Sequence, residues 1–131
     1  MFTLERIISS EDIEPVYNHV HHAKAICFLE EARLRYLEHI GFPNDVLLAK
    51  NLFFVITRIE VDYKRELFEE LVVVTCESPK VDGRCMSVNQ RILKKNGKVA
   101  VEAHVQFMCL DRSRGRGVEP PEDLREAFLA S

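Results

Sequence analysis

The chain has 131 residues, of which 47% are hydrophobic and 30% charged, a balance that supports a packed core and excludes a disordered chain. Its formal net charge of -3 argues against nucleic acid as the main partner. No stretch approaches the roughly 20 apolar residues of a membrane helix, and Met1–Ser10 carries Glu5 and Arg6 with no secretory apolar run. We therefore expect one domain over residues 1–131, cytoplasmic, with no membrane contact.

Phe2–Ile8 reads as a first strand, and Ser10–His22, marked by Ser9, Ser10, Asp12 and Pro15, as an irregular loop. Ala23–Ile40 reads as the one long helix. Lys24, Glu31, Arg35 and Glu38 fall on a polar face, with Glu31 and Arg35 at ion-pairing distance, and a wide apolar surface covers the remainder. Gly41 supplies its C-terminal cap and Pro43 blocks continuation. A short helical turn is expected over Asn44–Lys50. In Val55–Lys64, alternation places Val55, Thr57, Ile59, Val61 and Tyr63 on a buried face and Arg58, Glu60, Asp62 and Lys64 on a wet one. Leu71–Ser78 is β-branched and apolar. Arg84–Lys94 and Lys98–Leu110 form a hairpin across Lys95-Asn96-Gly97. Pro120, Pro121 and Glu122 open a terminal helix that ends near Leu129. One long helix among antiparallel strands buries its apolar surface only against a curved sheet, so the expected class is α+β. Cys27, Cys76, Cys85 and Cys109 lack a CxxC pair and read as buried free thiols.

The chemistry-bearing stretch is Glu11–Ala23. It places three acids, Asn18 and the histidines His19, His21 and His22 just before the long helix. The first backbone N–H groups of a helix are unpaired and carry partial positive charge, which suits them to an oxyanion, and an upstream carboxylate can attack or activate water. His19, His21 and His22 do not follow a zinc-ligand spacing, so neither a metal nor a redox cofactor is expected. His39 and His104 read as surface or strand-face residues.

Asp12-Ile13-Glu14-Pro15, then Asn18-His19-Val20-His21-His22-Ala23, Phe28-Leu29-Glu30-Glu31-Ala32-Arg33 and Tyr36-Leu37 resemble the 4-hydroxybenzoyl-CoA thioesterase family. Its usual pattern is Asp-x-Asp-Pro-x-Gly-His-Val-Asn-Asn-Ala, followed by a helix with Glu-Glu-Ala-Arg. The resemblance implies the hot-dog fold, one long helix wrapped by a curved antiparallel sheet, and acyl-CoA thioesterase activity in a homodimer or homotetramer with its active site at a subunit interface. It puts the catalytic carboxylate on Glu14, as nucleophile or general base, with one extra residue before His19. It gives the His22 N–H the thioester carbonyl and lets His19 orient the carboxylate or a water. Asn18 takes the place of a glycine and is expected to cap the helix, and His21-His22 replaces Asn-Asn. Glu30 is the second candidate carboxylate, since some hot-dog thioesterases carry theirs on the central helix. Arg114 and Arg116, in an Arg-x-Arg before the last prolines, would hold CoA phosphates, with Arg84 as a further contact. Other readings of the same residues are a non-catalytic acyl-CoA or acyl-carrier-protein binding module and a hot-dog enoyl-thioester hydratase.

Overall fold

A computed structural model describes residues 1–131. The elements in chain order are β1 (Phe2–Ile7), a 3-10 turn (Ser10–Asp12), β2 (Ile13–Glu14), β3 (His19–Val20), α1 (His22–His39), α2 (Asn44–Ala49), β4 (Leu52–Tyr63), β5 (Leu71–Asp82), β6 (Cys85–Leu93), β7 (Val99–Asp111), β8 (Arg116–Val118) and α3 (Glu122–Ala130). An antiparallel sheet runs in the order β1-β5-β6-β7-β4, with β8 paired to the end of β7. α1 lies across one face of this sheet, as the hot-dog arrangement requires.

α1 forms because Ala25, Phe28, Leu29, Ala32, Tyr36 and Leu37 recur every three or four residues and bury one stripe. It stops where expected. Gly41 takes φ +97, its N–H donates to Glu38 O at 3.0 Å, and the Phe42 N–H donates to Leu37 O at 2.8 Å, a Schellman closure that needs a left-handed residue. Beneath the helix, Val72, Val74, Met86, Val88, Ile92 and Val105 are almost fully buried in one contiguous core. α3 closes the end of this core with Leu124 and Phe128.

The sheet has three register shifts, of which those in β4 and β5 bear on the expected strands. In β4, register with β7 shifts between Ile56 and Arg58, which leaves Thr57 unpaired. The inward phase flips there: Leu52 and Phe54 face the core before the bulge, Ile59 and Val61 after it. Strict alternation through Val55 and Thr57 is therefore corrected, since Thr57 is exposed. β5 continues past Ser78 to Asp82 through a second bulge at which Ser78 has φ 52. β1 pairs with β5 only as far as Cys76, so the missing N–H of Pro79 costs no ladder bond.

Three smaller expectations are also corrected. Glu31 pairs with Arg6 of β1 at 2.9 Å and Arg35 with Glu38 at 3.1 Å, rather than with each other. Cys76 and Cys109 are buried thiols, but Cys27 falls on the solvent side of α1 and Cys85 is only half-buried. The loop before α1 contains the 3-10 turn and the β2–β3 pair. No helix is long and apolar enough to cross a membrane.

Candidate active site

The loop into α1 is a small hairpin. Ile13 pairs with Val20 and Glu14 with His19, and the Asn18 N–H donates to Glu14 O at 2.8 Å. Directly opposed residues bring their Cβ atoms to about 5 Å, so Glu14 and His19 are neighbours across the hairpin despite the extra residue between them. Asn18 closes the turn at φ 58, a conformation in which glycine and asparagine are the usual occupants. That backbone requirement explains why asparagine stands at the glycine position.

Asn18 does not cap α1. His21 is the N-cap, and its Nδ1 accepts the Ala23 N–H at 3.1 Å. This is the bond an asparagine side chain makes at an N-cap, and it requires Nδ1 to be the unprotonated ring nitrogen. His22 is the first residue of α1. Its N–H makes no hydrogen bond within the chain, as expected of a first-turn donor. Its carbonyl accepts from the Tyr63 hydroxyl at 2.9 Å, which ties the helix start to the end of β4. Burial raises the Tyr63 phenol above its ordinary value, so it remains a donor.

This helix start opens on a cavity of about 530 Å³ lined by Tyr17, His19, Val20, His22, Ala25 and Tyr63 together with Lys64 and Arg65. The Tyr17 and His19 rings stack at 5.7 Å on its rim, and His19 Nδ1 lies 3.0 Å from Val20 O. Glu14 is half-buried at the hairpin, off the cavity lining, and its Oε1 accepts the Val16 N–H at 3.3 Å. The structure thus brings Glu14, Asn18, His19 and His22 into one loop-and-helix unit. His19, His21 and His22 do not converge with another histidine, cysteine or acid as a metal-sized cluster.

The loop is anchored by Asp12, which the sequence reading took only as a loop marker and a motif position. Asp12 is buried, with Oδ2 accepting from Arg6 at 2.8 Å and from the Ser9 N–H at 3.0 Å, and with Lys24 of α1 at 3.6 Å. Burial alone would raise its carboxyl, but these partners outweigh it and hold the group below the usual aspartate value. Ser9 three residues before Asp12 is a capping-box spacing, the signal that could have found it. Tyr63 was read only as a core-facing strand residue.

Glu30 sits apart from this unit, exposed on α1, beside a second cavity of about 440 Å³ between α1, α2 and the start of β4. Arg114 and Arg116 lie in the β7–β8 turn and β8, where Asp111 pairs with Leu52 at the start of β4. Arg84, in the turn between β5 and β6, projects to the same end of the sheet because Met86 pairs with Phe107. The three arginines are thus grouped, but Tyr63 and His22 stand at the opposite end of β4. Its 12 residues span roughly 35 Å. One chain does not bring the arginines and the helix start together.

Removing the Tyr63 hydroxyl should cost one ordinary hydrogen bond. Tyr63→Phe is expected to lower stability by about 1 kcal/mol, read as a fall in Tm of a few degrees. An unchanged Tm would mean that the bond to His22 O does not hold the helix start.

Comparison with known proteins identifies the family. The family model described as thioesterase-like superfamily matches residues 10–128. The chain is 31% identical over 113 residues to the long-chain acyl-CoA thioesterase FadM of Escherichia coli, covering 85% of each protein. It is 30% identical over 111 residues to the acyl-CoA thioesterase YbgC of Haemophilus influenzae, covering 83% of this chain and 81% of that one. Among solved structures, Staphylococcus aureus SAV2348, determined in complex with CoA, superposes with a TM-score of 0.91 at 19% identity over 98% of this chain and 82% of that one. At that identity the likeness speaks for the fold alone. With the family model spanning the hairpin, α1 and every strand of the sheet except β1, the chain belongs to the thioesterase-like superfamily.

Proposed function

We propose that the protein hydrolyses acyl-CoA thioesters at the start of α1, with Glu14 as the catalytic carboxylate. The observation that carries this reading is the unpaired His22 N–H at the head of an 18-residue helix, opening on a cavity beside the Glu14–His19 pair. The thioester oxygen would accept from that N–H, and the helix dipole favours the charge that develops there. Glu14 acts either as general base on a water or as nucleophile. In the first case water adds to the carbonyl carbon, its proton passes to Glu14, and the C–S bond breaks with CoA leaving as thiol once that proton is returned. In the second, Glu14 displaces CoA and forms an anhydride, which water then cleaves. His19, opposite Glu14, would orient the carboxylate or the water.

The separation of the arginines from His22 supports a site shared between subunits. The outer edge of β4 is unpaired within the chain, and half-exposed Ile56 and Tyr63 lie along it. Such an edge invites pairing with a second copy. Antiparallel pairing of two β4 strands would set the Leu52 end of one subunit, with Arg84, Arg114 and Arg116, beside the Tyr63 end of the other. A homodimer, alone or within a tetramer, is the assembly this geometry calls for. Light scattering that finds only monomer at micromolar concentration would remove the shared site.

Two kinetic experiments test the function. Release of free thiol should be measurable from at least one ester in a panel of acyl-CoA substrates. Binding of acyl-CoA with no thiol released from any of them would make the protein a binding module. Replacing Arg114 and Arg116 together by Ala should raise KM for an acyl-CoA about tenfold or more while changing kcat little. The matching acyl-pantetheine, which lacks the nucleotide phosphates, should be indifferent. Equal losses on both substrates would make the arginines structural.

A further inference from the structure

Where the family pattern carries Asn-Asn ahead of the long helix, this chain carries His21-His22, and the exchange changes what caps α1. His21 Nδ1 accepts the Ala23 N–H at 3.1 Å, and the His21 carbonyl accepts the Lys24 N–H at 2.9 Å. The first turn of α1 holds no acidic residue, so this imidazole is the one side chain that accepts from its N–H groups. The bond from ring 21 to N–H 23 closes a loop over the intervening peptide, as an Asx turn does, with His21 at φ -62 and ψ 140. That peptide carries the His22 N–H. The ring that caps the helix therefore also sets the direction of the N–H that opens on the cavity.

An asparagine carbonyl accepts at every pH, whereas an imidazole Nδ1 accepts only while it is unprotonated. Here the Ala23 bond puts the ring's single proton on Nε2. A second proton would turn Nδ1 into a donor facing another donor, open the cap and set a positive charge at the positive end of the helix dipole. The groups around the ring offer no replacement. They are His22, 4.1 Å away centroid to centroid, and Lys24 of α1, then Tyr17 and His19 of the hairpin, and Tyr63, Lys64, Arg65 and Glu66 at and beyond the end of β4. Lys24 turns to Asp12 at 3.6 Å and Lys64 to Glu102 at 2.9 Å. Glu66 is the single acid lining this cavity, and it makes no ion pair with His21.

We propose that His21 is a positioning residue whose neutral ring holds the His22 N–H on the thioester oxygen, so that turnover falls as His21 takes up a proton. The inference rests on the reading that the thioester sits at the His22 N–H. The added positive charge would by itself favour an oxyanion, but His21 is exposed and water screens that charge. An N–H turned off its line is lost to the transition state altogether, which is the larger effect.

The test follows kcat from about pH 8 to about pH 5, the span in which imidazoles titrate, for wild type, His21→Asn and His21→Ala on one acyl-CoA. Asparagine keeps an acceptor that does not titrate. The ratio of its kcat to that of wild type should therefore rise about fivefold towards acid, the worth of one N-cap. Taking the ratio cancels the titration of Glu14, His19 and His22, which both proteins share. His21→Ala, with no acceptor, should lie below His21→Asn by a similar factor at every pH. A ratio that does not change with pH overturns the proposal. Nitrogen-15 NMR of wild type reads the cap without any variant. The His21 ring should show Nδ1 unprotonated at about pH 8, and the Ala23 amide resonance should move as that ring titrates. An Ala23 amide indifferent to the ring overturns the proposal, and so does a titrating amide with a flat kcat ratio, since His21 would then cap α1 without positioning the reacting N–H. Absence of thiol release from every ester removes the thioester reading and this role with it, a failure told apart from a flat ratio because no turnover is seen at any pH.

Discussion

Glu14→Gln is expected to lower kcat by about 10²–10⁴-fold, with acyl-CoA binding retained. The amide keeps the size and hydrogen-bonding capacity of the side chain but removes the charge that either attack or base catalysis requires. Binding should survive because the determinants proposed for it lie elsewhere: the His22 N–H, the cavity walls and the arginine end of the sheet. Glu30→Gln is the matched control, on the same molecule but beside the other cavity. An inactive Glu30→Gln with an active Glu14→Gln would move the catalytic carboxylate onto α1. Loss of both activity and binding in Glu14→Gln would indicate a collapsed hairpin rather than missing chemistry, and circular dichroism separates the two.

The second large effect concerns Asp12, which holds the hairpin to β1 and α1. Asp12→Asn leaves Arg6 without its buried partner and weakens the Lys24 contact, at a cost of about 2–3 kcal/mol, discounted because Arg6 is partly solvated. The pH dependence follows from its lowered carboxyl. A group depressed in the folded state contributes stability above its unfolded value and loses it as pH falls through the folded value. Wild type and Asp12→Asn should therefore differ most near neutral pH and converge in acid, below the ordinary aspartate range. Urea denaturation across that window reads the gap directly, and a gap that stays constant with pH would mean that the Asp12 charge does not stabilise the fold.

Where a local signal matched a local cause, the sequence was a good guide. Gly41 followed by Pro43 marked the end of α1 because only a left-handed residue closes a Schellman motif there. Asn96-Gly97 marked the β6–β7 turn, where Gly97 has φ +84. Features set by distant partners were not legible. The phase flip at Thr57 depends on how β4 pairs with β7, and strict alternation cannot show it. The strand read over Leu71–Ser78 continues to Asp82, and Pro79 is tolerated there because β1 has already stopped at Phe2. Arg33 reads locally as one more helix charge, and only Gln90, 57 residues away, reveals that it is inside.

The site was legible in its residue types more than in its geometry. Glu14 opposite His19 follows the motif, whereas the exchange of roles between Asn18 and His21 arises from backbone angles. The grouping of Arg84, Arg114 and Arg116 could be read only in part. Arg114 and Arg116 share a short segment, but the β6–β7 register brings in Arg84 and sets all three far from His22.

The central claim is that the first N–H of α1 polarises the thioester carbonyl, and the carbonyl stretch of a bound substrate measures it most directly. Infrared difference spectra of an acyl-CoA labelled with carbon-13 at the carbonyl would be recorded on Glu14→Gln, where substrate binds without turning over. A hydrogen bond from His22 N–H, aligned with the helix dipole, weakens the C=O bond and should move the stretch to lower wavenumber than in water. A bound carbonyl at or above its frequency in water would show that the helix start does not hold the thioester, and the assignment of the site would fall with it.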